Sequence, residues 1–121
     1  LVASTPQTRK AKGRVFQQYI AAKIRATFNL PDPDAVSTSM GQAGMDIQLS
    51  QAARELFPYC VEAKKQESTK IWEWLKQAEE NGKKTGLYPL LIFSRNRSKT
   101  YAVVELDHLL DLTKISAERK Q

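Results

Sequence analysis

The sequence predicts an α/β domain in three layers, with a central mixed sheet of about four strands flanked by helices. Three observations carry this expectation. A long segment near the start repeats its apolar residues at three- and four-residue spacing. Four short runs, "MDIQL", "YCVEA", "LYPLLIFS" and "TYAVVEL", have the length and the apolar, β-branched or aromatic content of strands. Between the second and third of these lies a helix-period segment. Such a crossover joins parallel neighbours in one sheet, with a right-handed connection.

Each element has a local reason. Thr5 followed by Pro6 reads as an N-cap and first helical position. Val15, Phe16, Tyr19, Ile20, Ile24 and Phe28 then form one apolar stripe. "NLPDPD" ends this helix, because each proline disfavours helical geometry in the residue before it. Residues 35–44, small and glycine-containing, read as a loop. Ser50 can cap a brief helix, "QAAREL", before Pro58, and Ser68 a second one whose inner face is Ile71, Trp74, Leu75 and Ala78. Gly82 is placed to end that helix. The charged turn "RNRSK" separates the last two strands, and Asp107 can cap a final helix, "HLLDL". The reading is a single domain over residues 1–121, with residues 1–8 and 113–121 as flexible ends.

Composition narrows the function classes. At 41% apolar and 26% charged residues the chain is of ordinary globular make-up, and no apolar run reaches the ~20 residues that span a bilayer. A lone cysteine, Cys60, suits a reducing cytoplasm and reads as a small core residue. The net charge of +6 is unevenly spread. Arg9, Lys10, Lys12, Arg14, Lys23 and Arg25 occupy an acid-free stretch over 1–28, and Lys83, Lys84, Arg95, Arg97 and Lys99 another over 82–101. Two basic blocks around a more acidic middle point to a polyanionic partner, against the plainer reading of solubilising lysines.

The informative stretch is "YCVEAKK", an apolar run that holds an acid and lysines. Ionised groups avoid buried strands unless they are paired or bound to metal. Residues two apart on a strand share a face, so Glu62 and Lys64 point one way and Val61 and Ala63 the other. If "MDIQL" pairs with this strand, Asp46 joins them. Two carboxylates of this kind suit Mg²⁺ or Mn²⁺, hard cations that polarise phosphoryl oxygens, and a neighbouring ammonium offsets developing charge. The competing reading is a surface ion pair on an edge strand. Glu118 and Lys120 repeat the spacing in the polar tail, without strand character or an upstream acid. The first copy differs on both counts.

"Gly44-Met-Asp46" followed by "Val61-Glu62-Ala-Lys64" resembles the Asp…Glu-x-Lys signature of the PD-(D/E)XK nucleases, and the order helix, strand, strand, helix, strand is also theirs. The likeness spans about residues 9–106. It is closest to small resolvase-like members, Holliday junction resolvases and related phage proteins, and "RKAKGR" is similar to the basic entry of their first helix. The resemblance implies a restriction-endonuclease-like fold, with Asp46, Glu62 and the Ala63 carbonyl on the metal and Lys64 catalytic. Met45 stands where the family often has proline. Gln17 and Gln18 stand where relatives carry a glutamate on the first helix, which implies one firmly held cation rather than two.

The same likeness suggests Gln17 and Gln77 beside the site. The residues expected against nucleic-acid backbone are Arg9, Lys10, Lys12, Arg14, Ser39, Lys65, Arg95, Arg97 and Lys99. His108 reads as structural. Trp72 and Trp74 fall on different sides of their helix, one buried and one a candidate for dimer packing. The expected function is a Mg²⁺- or Mn²⁺-dependent endonuclease acting on DNA, with branched DNA as one substrate form and a symmetric homodimer as the assembly that paired incisions need. The alternatives are a nuclease for simple duplex or single-stranded DNA, and a non-catalytic binding module that kept the fold.

Overall fold

The computed structural model describes residues 5–38 and 44–121. Helix α1 runs Pro6–Phe28. The Thr5 hydroxyl accepts the Thr8 N–H at 3.1 Å, and Asn29, in the left-handed region at φ 56°, closes the other end. A short 3₁₀ turn (Asp32–Asp34) leads to strand β1 (Ala35–Ser37), then β2 (Ile47–Leu49), helix α2 (Gln51–Leu56) and β3 (Tyr59–Lys65). Helix α3 (Ile71–Thr85), strands β4 (Tyr88–Ser94) and β5 (Tyr101–Val103) and helix α4 (Leu106–Arg119) complete the chain.

β3 and β4 pair in parallel along their whole length, from Tyr59 opposite Tyr88 to Lys65 opposite Ser94, and β5 adds antiparallel to β4. α3 is the crossover between the parallel pair and packs on both strands, while α1 packs on β1 and β3. The α/β class and the mixed pairing are as the sequence predicts.

Several expectations are corrected. The segment read as a loop from residue 35 begins with a strand, and β1 and β2 form an antiparallel two-stranded sheet of their own. Among the described residues the strands fall into two sheets, of two and three strands, rather than one continuous sheet of about four. They meet where the Asp46 N–H donates to the Val61 carbonyl at 3.1 Å.

The buried side of α1 is Phe16, Gln17, Ile20, Ala21 and Ile24, whereas Val15 is 61% exposed and Tyr19 is also exposed. At 100° per residue the buried arc runs from Phe16 to Ala21 and is centred near Ile24, and Val15 and Tyr19 fall outside it. Gly82 lies inside α3, which ends at Gly86 with φ 71°. A Cβ on Gly82 would sit 2.9 Å from the Leu87 carbonyl oxygen, so the glycine serves close packing of helix on strand. α3 starts after Lys70 rather than Ser68, and α4 after Glu105 rather than at Asp107, neither with a side-chain cap bond.

Residues 1–4 of the expected flexible start lie outside the described residues. α1 begins at Pro6, and α4 runs to Arg119 through the segment read as a flexible tail. "TKISAER" contains neither glycine nor proline, and polarity alone does not stop a helix.

The core joins the α1 face to Ala35, Ile47, Leu49, Ala53, Val61 and Leu90. On the other side of β3, Cys60 is buried and Trp74 packs against Phe93 at 6.2 Å, while Trp72 is 84% exposed. His108 is structural: its Nε2 lies 2.6 Å from the Tyr59 hydroxyl and its ring contacts Tyr88. Among the described residues no helix is long and apolar enough to cross a membrane.

Candidate active site

The site forms at the free edge of β3. Residues 61 and 63 of a strand direct their backbone groups to the same side. There the Val61 carbonyl accepts the Asp46 N–H, and the Ala63 N–H donates to Asp46 Oδ2 at 2.7 Å. The Asp46 side chain thus takes the place of a further ladder bond, so the two sheets touch here without continuing into one, and the Ala63 carbonyl is left on the open edge. Further support comes from Thr38, whose N–H donates to the Asp46 carbonyl at 3.0 Å, and from Asn81 of α3, whose Nδ2 donates to the Gly44 carbonyl at 3.1 Å.

Glu62, only 6% exposed, and Lys64 lie on the α3 side of β3, with Lys64 Nζ 3.4 Å from Glu62 Oε1. Burial pushes the Glu62 carboxyl up to about 7; the nearby Asp46 charge adds to this and Lys64 opposes it. Burial also raises Asp46, against the Ala63 N–H and Lys64, which favour its ionised form. One ammonium therefore faces two acids, and a cation would relieve the excess negative charge. Burial raises the Cys60 thiol to about 11, which keeps it out of nucleophilic chemistry at neutral pH.

From α1, Gln17 reaches the same place. It is 5% exposed, and its Oε1 has no hydrogen-bond partner among the described residues. A buried amide oxygen without a donor costs about 1–3 kcal/mol, so its position asks for a ligand. Among the described residues no group of three or more His, Cys, Asp or Glu side chains converges. The available donors are two carboxylates, a main-chain carbonyl and this amide oxygen. All are hard oxygens, a set that fits Mg²⁺ or Mn²⁺ with water completing the shell.

These residues line one open cleft of about 880 Å³. Asp46, Glu62, Ala63, Lys64, Gln17 and Gln77 are in its walls, and Arg9, Lys10, Lys12 and Lys65 border it. Arg14 is exposed and does not line the cleft; it sits elsewhere on the turn of α1 that carries Gly13 and Gln17 inward. Arg95, Arg97 and Lys99 also lie off the cleft, in an exposed turn after β4. Ser39 lies outside the described residues.

Sequence reasoning missed Asn81, Glu80 and Glu67, which also line the cleft. Asn81 is four residues beyond Gln77, one helical turn along the same face, and that spacing was the available signal.

The chain matches the family described as "Phage putative PDDEXK endonuclease" over residues 8–120. No curated protein and no solved structure matches it. The match takes in every described element from the first turns of α1 to the end of α4, including Asp46, Glu62 and Lys64 at the edge of β3, and the chain belongs to this family of phage PDDEXK endonucleases.

Proposed function

We propose that the protein is a divalent-metal-dependent endonuclease that hydrolyses DNA phosphodiester bonds at the β3 edge. The observation that carries this reading is the meeting of a buried acid, Glu62, and a half-buried one, Asp46, with one lysine, beside a buried amide oxygen that has no partner among the described residues. Asp46, Glu62 and the Ala63 carbonyl would hold Mg²⁺ or Mn²⁺. When bound, the ion supplies Lewis-acid polarisation of the phosphate. Lys64 offsets the negative charge that grows on the phosphate oxygens and orients the attacking water. Gln17 Oε1 can accept a hydrogen bond from that water, and Gln77 borders the same space. Arg9, Lys10, Lys12 and Lys65 steer the strand by its phosphates, which positions the backbone without reading bases.

Incubation with Mg²⁺ or Mn²⁺ and a panel of linear, single-stranded, flapped and four-way DNAs tests the activity and its substrate form. Cleavage of at least one substrate is expected, with loss on chelation. Cleavage confined to the four-way junction would assign the branched-DNA subclass. Absence of cleavage throughout would favour the non-catalytic binding module.

The amide at position 17 supplies less charge than a carboxylate. Metal titration by calorimetry should therefore give one firmly bound ion, and Gln17→Glu should tighten binding and lower the Mg²⁺ needed for half-maximal rate. Unchanged affinity in Gln17→Glu would remove this residue from the site.

Pairing of two copies is the assembly that matched incisions need, and α4 offers the surface. Leu106, Leu109, Leu110, Leu112 and Ile115 are all exposed, and α4 has no buried residue. A 14-residue helix presents a face about 21 Å long. That is enough for the centre of the ~800 Å² per partner that specific homodimers bury. This moves the candidate interface from the exposed tryptophan, Trp72, to α4. Sedimentation should give a dimer at micromolar concentration, and Leu109→Glu with Leu110→Glu should give a monomer. A monomeric wild-type protein would refute this interface.

A further inference from the structure

Glu67 follows β3 at the mouth of the cleft, held near the end of β4 by the Gln66 N–H, which donates to the Ser94 carbonyl at 3.2 Å. Its Oε2 accepts the backbone N–H of Asn96 at 2.7 Å and lies 4.0 Å from Lys12 Nζ. The turn that supplies this N–H is closed by the Ser98 N–H on the Arg95 carbonyl at 3.3 Å. Arg97 has φ 60°, whereas Asn96 keeps a negative φ, the pattern of a type II turn. In such a turn the N–H of the second residue points outward and is free for an anion.

The surroundings are basic. Residues 5–31 and 82–104 contain no acid, and Glu67 places one carboxylate between them. An amide N–H and an ammonium are also the donors that a backbone phosphate uses.

We propose that Glu67 occupies a phosphate seat made by the Asn96 N–H and Lys12, and that a nucleic-acid phosphate displaces it on binding. This rests on the nuclease reading above and deepens it. The Arg95–Lys99 turn, which does not line the cleft, becomes part of the track through its backbone, and Glu67 acts as a built-in competitor. A carboxylate carries one charge and bonds well here, so weak or short anions are turned away, while a continuous strand with several phosphates overcomes it.

The test is DNA binding by fluorescence anisotropy with a short duplex in chelator, where no cleavage intervenes. Glu67→Ala should tighten binding by about eightfold at 0.1 M salt and steepen the salt dependence by ~0.9 log unit per decade, the value of one added contact. Glu55→Gln, an equal charge change on α2 away from the cleft, should shift affinity by less than about twofold. Proline fits the second position of a type II turn and lacks an N–H. Asn96→Pro in the Glu67→Ala background should therefore remove most of the gain. Binding of Glu67→Ala that is unchanged, weaker, or shifted no more than that of Glu55→Gln would overturn the proposal, and would mean that Glu67 only braces the turn.

A second readout does not depend on DNA. Inorganic phosphate should shift the Asn96 amide resonance of Glu67→Ala at severalfold lower concentration than in wild type. If no variant binds DNA but this shift appears, the seat stands and the nuclease reading falls. If the resonance is indifferent to phosphate in both proteins, the seat is absent.

Discussion

Glu62→Gln should abolish metal-dependent cleavage and, in the same protein without metal, raise the thermal midpoint at pH 7.5 by several degrees. The two effects have one cause. Burial and the Asp46 charge lift the Glu62 carboxyl from 4.5 to about 7. A group with a raised folded-state pKa binds its proton more tightly in the native protein than in the unfolded one. The contribution of this group to stability is therefore fully present below about pH 4.5, declines as pH rises, and is lost above about pH 7. The loss is on the order of 3 kcal/mol if the whole shift is expressed. Glutamine resembles the protonated acid, so the variant should show a much flatter profile between pH 5 and 8 in thermal unfolding with chelator present.

Cleavage should fall by about 10³-fold or more, the scale on which loss of one catalytic group acts. An ordinary structural ion pair behaves in the opposite way: removal of one partner of the Glu62–Lys64 pair would then lower the midpoint. A destabilised Glu62→Gln that still cleaves would return the pair to that simpler role.

The choice of substitution at Asp46 should separate catalysis from folding. Asp46→Asn and Asp46→Ala are both expected to lose cleavage by a similar factor, because neither offers a carboxylate. Their stabilities should differ. Asn keeps an oxygen that can accept the Ala63 N–H, whereas Ala leaves that half-buried donor without a partner and releases the junction of β2 with β3. The unmet donor costs about 1–3 kcal/mol. Denaturant unfolding should place Asp46→Asn within about 1 kcal/mol of wild type and Asp46→Ala below it by the larger amount. Equal stabilities would mean that the Asp46–Ala63 bond contributes little. Near-wild-type cleavage by Asp46→Asn would remove Asp46 from the metal site.

Much of this arrangement is legible in local pattern. The Thr5 and Ser50 caps hold as read, because an N-cap is a contact three residues long that needs nothing distant. Glu62 and Lys64 share a face because alternation is a property of any strand. The errors fall where a remote partner decides. Gly82 looks like a helix end, yet the approach of Leu87 and Pro89 explains it. Val15 and Tyr19 look like core residues, yet α1 is covered only along the arc from Phe16 to Ala21 that centres near Ile24. β1 has little strand signature of its own and exists because β2 lies beside it.

Local pattern specifies the α/β class, the parallel crossover pair and the acids and lysine of the β3 edge. Helical period, strand alternation and residue chemistry are all local. Long-range packing alone makes the Asp46 side chain replace a ladder bond, leaves the Gln17 oxygen buried without a donor among the described residues, and seats Glu67 on the Asn96 N–H. These depend on atoms far apart in the chain meeting within hydrogen-bond range. Their energies come from desolvation and geometry at the meeting point, which no local pattern records.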